Sequence, residues 1–267
     1  MLVTYHDVNM EEWEKRGILY GSSYKSVLFK NMPEAANRHF HFSHLNFIYD
    51  SIHNIKNNCR ILDVGCGYGR ITMPLTQKLP EAEIIGMDIS PAYVSLYKKN
   101  TGKNAFVGSI ETIPESIGMF DLIISVTVMM YVQINQRRIM VKNLLEKLNS
   151  GGKLIMIEPD ISGINYQTGF GILNFIKINT SSGNIQTGGR CFSSTELTNL
   201  IQESGGLIIK EERIPATTFF FLPMYAMGKL FPEKIAAFFF RPLNLMDNIL
   251  KKYRLPTLWL FYLIQGK

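Results

Sequence analysis

The sequence predicts an α/β protein with a mostly parallel seven-stranded sheet and helices on both faces. Three observations carry that expectation. Short apolar runs alternate with longer mixed stretches through the middle of the chain; a glycine-rich turn follows the first run; and helix-start residues fall between the runs. At 267 residues, 46% of them apolar and 19% charged, the chain can bury one sizeable core and a small appendage, so a single domain over 1–267 is expected.

Strands are expected at 60–64, 83–87, 104–107, 120–126, 153–158, 207–212 and 257–265. Ahead of them, 34–56 sets Leu45, Ile48, Ile52 and Ile55 at offsets of three and four, an amphipathic helix within a helical cap over 1–57. Ser90-Pro91 reads as an N-cap with proline in the first turn, and Ser193 with Glu196 as a capping box. Gly151-Gly152 and Gly205-Gly206 are read as helix stops. The glycine-rich, polar stretch 161–190 reads as a lid, within 160–192. The C-terminal part, 193–267, carries an insertion over 215–256 between the last two strands.

Composition excludes several classes. The longest uncharged apolar stretch, 214–228, has 15 residues and contains Pro215 and Pro223, too short and too broken to span about 30 Å of hydrocarbon. Asp7, Glu11, Glu12 and Glu14 stand where a secretory signal needs an apolar run, so a cytoplasmic chain is expected. Three cysteines at no ligand spacing argue against a disulfide framework. His39, His41 and His44 invite a metal reading, but helical residues two apart diverge by about 200°, and no metal is expected.

The chemistry concentrates at Ile61-Leu62-Asp63-Val64-Gly65-Cys66-Gly67-Tyr68-Gly69-Arg70. A buried strand ends at Val64, and glycines let the backbone turn and approach a ligand. Arg70 occupies the place of the third glycine of the dinucleotide pattern, which disfavours pyrophosphate binding. Asp63 supplies an acceptor for a cationic ammonium. Asp88, in Gly86-Met87-Asp88-Ile89-Ser90, ends the next strand, where a carboxylate can accept both hydroxyls of a ribose. A nucleoside ligand is implied.

With Val107-Gly108-Ser109-Ile110-Glu111-Thr112-Ile113-Pro114, Phe120-Asp121-Leu122-Ile123-Ile124-Ser125 and Leu148-Asn149-Ser150-Gly151-Gly152-Lys153-Leu154 in order and spacing, the chain resembles the class I S-adenosylmethionine-dependent methyltransferases. The resemblance implies a Rossmann-like fold, S-adenosyl-L-methionine as cofactor and 58–159 as the cofactor-binding half. It implies Gly65, Gly67 and Gly69 at the methionine part, Asp88 at the ribose, Ile89 on the adenine face, Ser109 and Ile110 at the adenine edge, and Ser125 and Val126 at the sulfonium end. The sequence departs from the family at Ser109, where Asp is common, and at Tyr131, where His is frequent.

Tyr131 and Glu158, expected at strand ends facing the crevice, and then His39 are the candidate catalytic residues; for Glu158-Pro159 simple strand termination is the competing reading. A small-molecule acceptor, apolar or lipid-linked, is expected. A protein acceptor and a noncatalytic cofactor-binding partner subunit are the alternatives, and nucleic acid is not expected because Ser125-Val126-Thr127-Val128 lacks an Asn-Pro-Pro-Tyr motif.

Of the net charge of +6, +4 lies between Pro215 and Leu258, and 218–240 holds seven phenylalanines. Core completion and peripheral contact with an anionic membrane are both open readings of that segment.

Overall fold

A computed structural model describes residues 5–163 and 190–266; most of the expected lid, 164–189, lies outside the described residues. The seven strands are β1 (Arg60–Val64), β2 (Glu83–Asp88), β3 (Ala105–Val107), β4 (Phe120–Val126), β5 (Leu148–Pro159), β6 (Leu207–Arg213) and β7 (Trp259–Gln265). They form one sheet in the order β3-β2-β1-β4-β5-β7-β6. The first five are parallel, and β7 runs antiparallel between β5 and β6. The strand order reverses between β1 and β4, and the carboxyl ends there define the crevice in which such sheets bind ligands.

Alternation along the strands splits the core in two. Ile61, Leu122, Ile124, Ile155, Ile157, Phe261 and Leu263 face one layer, while Leu62, Ile123, Leu154, Met156, Leu260, Tyr262 and Ile264 face the other. The first layer is covered by α3 (Glu34–Ser51) and by three insertion helices, α8 (Pro215–Phe219), α9 (Phe221–Leu230) and α10 (Glu233–Leu250). The second is covered by α6 (Arg137–Glu146) and α7 (Ser194–Glu203). The chain also contains α1 (Tyr5–Tyr20), α2 (Tyr24–Val27), α4 (Thr72–Lys78) and α5 (Pro91–Thr101).

Local chemistry sets the helix ends. Ser90 Oγ accepts from Tyr93 N at 3.2 Å, Pro91 follows it, and Gly102 closes α5 at φ 67°. Ser193 Oγ accepts from Glu196 N at 3.1 Å. The reciprocal half of the expected capping box is replaced, because the Glu196 carboxylate pairs with the buried Arg137 at 3.3 Å. Gly151-Gly152 lies inside β5 instead of stopping a helix: α6 has already ended at Glu146, and a Cβ on Gly152 would sit 2.9 Å from Asn149 O.

The amphipathic helix expected over 34–56 ends earlier, at Ser51. Its polar side is buried as well: Asn37 donates to Phe29 O, His41 and His44 face Arg70, Ser43 is buried too, and His39 lies against Thr217 and Phe240 of the insertion. Asp247 of α10 secures this contact by accepting from Ala216 N (2.7 Å) and Thr217 Oγ1 (3.1 Å), and Thr217 Oγ1 in turn lies 3.2 Å from His39 Nε2.

Candidate active site

A cavity of about 280 Å³ opens at the carboxyl ends of β1, β2 and β4. Of the expected site residues, Asp63, Gly65, Gly67, Asp88, Ile89, Ser109, Ile110, Val126 and Tyr131 line it. The turn after β1 needs glycine: Gly65 and Gly67 have φ of 64° and 53°, and a Cβ on Gly65 would lie 2.4 Å from Val128 Cγ2.

Both carboxylates are buried and held. Asp88 accepts from Gly67 N at 2.9 Å and Ser90 N at 3.0 Å. Burial pushes its carboxyl up to about 6, against the opposing pull of those N–H groups. Asp63 accepts from Thr72 Oγ1 at 2.7 Å, and burial raises it to about 7, opposed by the Thr72 hydroxyl and the Arg70 charge.

Four expected residues do not line the cavity. Gly69, at φ 90°, makes room for α5, since a Cβ there would meet Thr101 Cγ2 at 2.5 Å. Ser125 is buried within β4, and its Oγ has no hydrogen-bond partner among the described residues. His39 sits between α3 and the insertion, where burial lowers its ring to about 4. Glu158 is fully buried and accepts from Val128 N (3.1 Å), Met129 N (2.9 Å) and Met130 N (3.1 Å). Burial raises Glu158 to about 7. The crevice position expected for Glu158 is not found, because backbone donors occupy its carboxylate, and the candidate His39 is held at a helix interface away from the cavity.

Glu158 still acts on the cavity wall at one remove. The donors it fixes, on Val128, Met129 and Met130, open the turn Met129–Tyr131, which carries the Tyr131 ring. Thr127, just before, is the non-glycine residue with positive φ, 60°, among the described residues. For a β-branched residue this is a strained backbone, held by Thr127 N donating to Ile157 O at 2.8 Å.

Several lining residues carry no local sequence signal. Trp13 reaches the cavity from α1 and meets Tyr131 edge-on at 5.0 Å between ring centroids. Glu14 ties α1 down by accepting from Ser90 Oγ (2.5 Å) and Ala92 N (3.0 Å) at the start of α5. Gln133, Gln136 and Met140 also line the cavity. Arg70, another lining residue, donates to His41 Nδ1 at 3.1 Å and His44 Nδ1 at 3.4 Å. Since guanidinium only donates, both rings accept on Nδ1 and carry their proton on Nε2. These histidines hold an arginine, and no cluster of potential metal ligands occurs among the described residues.

The comparisons with known proteins fit this geometry. The methyltransferase domain model matches residues 55–205. The chain belongs to the class I S-adenosylmethionine-dependent methyltransferase family. Within that family, a malonyl-[acyl-carrier protein] O-methyltransferase of Ilyobacter polytropus is 32% identical over 108 residues, 39% of this chain and 39% of that one. The chain spans between 23% and 39% of the length of the curated relatives it matches. Among solved methyltransferase structures, the magnesium protoporphyrin IX methyltransferase of Synechocystis, with bound S-adenosylmethionine, superposes at TM-score 0.62 with 10% identity, covering 100% of this chain and 99% of that one. The geranyl diphosphate C-methyltransferase of Streptomyces coelicolor superposes at TM-score 0.62 with 11% identity, covering 99% and 98%. These two likenesses concern the fold.

The chain's own residues suit the family's cofactor. Asp88 uses two of about four lone-pair sites on backbone N–H groups, which leaves acceptors for a pair of hydroxyls, and Asp63 places a second acceptor on the same cavity wall.

Proposed function

We propose that this chain transfers the methyl group of S-adenosylmethionine to a small-molecule acceptor with an apolar body. The observation that carries the reading is that the glycine turn, both buried carboxylates and a wall containing Trp13, Tyr131, Gln133 and Met140 share one cavity. When bound, the cofactor supplies a methyl group already activated by its positive sulfur. The protein's work is then binding and alignment, which can lower a barrier by roughly 7–11 kcal/mol without a catalytic side chain.

In this reading Asp88 accepts from the ribose, Asp63 faces the ammonium, and Gly65 and Gly67 let the methionine part approach the backbone. Ile89 packs on the adenine face, Ser109 and Ile110 lie at its edge, and Val126 borders the sulfonium end. Gly69 and Ser125 support these groups from behind. Tyr131 is the candidate catalytic side chain that lines the cavity; Glu158 is a positioning residue for its turn, and His39 a structural one. Trp13 and the tie at Glu14 favour an acceptor small enough to pass beneath α1, with an apolar body against Trp13 and Met140 and a polar end near Gln133 and Gln136.

Calorimetry with S-adenosylhomocysteine and with NAD tests the cofactor half: the first should bind, and displacement by NAD would overturn the assignment. Turnover with a panel of acceptors tests the other half. Tyr131→Phe should lower turnover by less than about 10⁴-fold with cofactor affinity unchanged, because general-base catalysis contributes about 10²–10⁴ at most; absence of turnover on every small acceptor, with turnover on protein, would sink the small-molecule reading.

A further inference from the structure

The insertion does not cover the cavity, since no described residue of 215–256 lines it, so its composition needs another explanation. Helix α10 carries two apolar stripes. One is buried against α3 and the sheet through Ala236, Phe240 and Leu243, with Asp247 continuing the same line. The other runs through Ile235, Phe238, Pro242, Leu245 and Ile249, at offsets of three and four, and faces outward. Phe238, Leu245 and Ile249 are 61%, 66% and 57% exposed. Phe239, 52% exposed, widens this stripe, and exposed Leu230 and Phe231 extend it beyond the start of the helix.

Cations border the stripe on one side. Lys234 and Arg241, seven residues apart and so two turns along one line, precede Ile235 and Pro242, and Lys252 follows beyond the end of the helix. Arg241 lies 5.7 Å from the Phe238 ring centroid, and Lys252 5.1 Å from that of Tyr253. The acidic residues of α10 are committed elsewhere: Asp247 is buried, and Glu233 pairs with Arg38 of α3.

We propose that this face of α10 docks on an anionic lipid bilayer. Charge decides the occupant. A second copy of the chain would bring cations against cations with no carboxylate beside the stripe to answer them, whereas anionic headgroups answer them directly. The width of the apolar arc suits an interfacial helix better than a narrow coiled-coil seam. No helix among the described residues is long and apolar enough to cross a membrane, so α10 lies in the plane of the interface. Proline at position 242 removes an N–H and leaves the Phe238 carbonyl without its helical partner on the outward side, where water and headgroups meet it.

The test is flotation of the full chain with vesicles of phosphatidylcholine alone and of phosphatidylcholine mixed with phosphatidylserine, at low and high salt. Binding to the anionic vesicles should dominate at low salt and weaken as the Debye length falls. Neutralising Lys234, Arg241 and Lys252 together to Gln should reduce it on the order of 100-fold. Phe238→Ser with Leu245→Ser should reduce it at either salt concentration, with affinity for S-adenosylhomocysteine unchanged, since none of these residues lines the cavity. The salt and lipid dependence of the unmodified chain stands even where a variant fails to fold. Equal partition into both vesicle types overturns the proposal, as does a dimer in sedimentation equilibrium that the two serine substitutions disperse.

Discussion

Asp63, Asp88 and Glu158 are 3%, 7% and 0% exposed at the ends of their strands, while Phe238 and Phe239 on α10 are more than half exposed. Burial of carboxylates and exposure of clustered phenylalanines both run against what folding alone favours. At these strand ends the departure is partly offset by donors from the chain: two backbone N–H groups for Asp88, three for Glu158 behind the cavity wall and a hydroxyl for Asp63. On α10 the contacts of these rings with each other, with Phe231 and with Arg241 still leave both more than half exposed. The difference separates a site that the protein half completes from a surface that it leaves to a partner.

The comparison can be broken within α10 itself. Phe240 follows the two exposed phenylalanines and is 3% exposed, its ring near His39. Phe240→Ala should cost about 3–5 kcal/mol in urea unfolding. A loss below about 1 kcal/mol would mean that the insertion barely packs, and its outward stripe would then be no feature of a fixed helix.

In the crevice the expected loss appears in binding. Asp88→Asn should weaken S-adenosylhomocysteine by about 10–100-fold, the 1.5–3 kcal/mol of hydrogen bonds to a charged group, as read by calorimetry. Unchanged affinity would remove the ribose assignment.

Proton linkage sharpens the contrast further. Asp63 and Glu158, near 7, and Asp88 and Asp247, near 6, all have raised folded-state values. The folded chain therefore holds these protons more tightly than the unfolded one, and their contribution to stability falls as pH rises from about 4 through 6 and 7. His39, lowered to about 4, and His41, lowered to about 3, act in reverse. Their contribution is full above the usual imidazole range and falls as pH drops from about 6.5 through 4. Affinity for S-adenosylhomocysteine should accordingly rise with pH as Asp88 ionises near 6 and Asp63 near 7, and level off above about 7. In the Asp88→Asn variant the rise should be shallower, with the share of Asp63 remaining.

The smallest effect is expected where exposure is greatest. Phe238→Ser and Phe239→Ser should each shift unfolding stability by no more than about 0.5 kcal/mol. A larger loss would show that these rings pack on the chain and would erase the contrast with Phe240.

Much of this was legible from sequence, and for local reasons. The bounds of β1 and β4 coincide with expectation because each is a short, mostly apolar run, interrupted by Asp63 in the first and by Asp121 and Ser125 in the second, as suits a strand buried on both faces. The tight glycine turn and the place of Asp88 at the end of β2 beside it were legible because glycines after a buried strand force a turn and the next apolar run stops at Asp88. Trp13 was not, because α1 has little amphipathic pattern and its place over the cavity comes from Glu14 meeting the start of α5, a contact 76 residues apart in sequence. The pairing of Arg70 with His41 and His44 was equally hidden: it joins two elements through neutral rings, and no spacing rule announces that. Glu158 was misjudged as a crevice group because sequence shows a strand end but not which way its carboxylate turns.

The position of β7 bears on how the chain is made. Among the described strands β6 pairs with β7 alone, and β7 also supplies the antiparallel partner of β5. A ribosome delivers β6 first and then the whole insertion before β7 emerges. Until then β6 has no neighbour, and the inner edge of β5 stands open to other strands. The nascent chain must therefore carry an unclosed sheet through the synthesis of its most phenylalanine-rich segment, so sheet closure is late and long-range, and aggregation during synthesis competes with it.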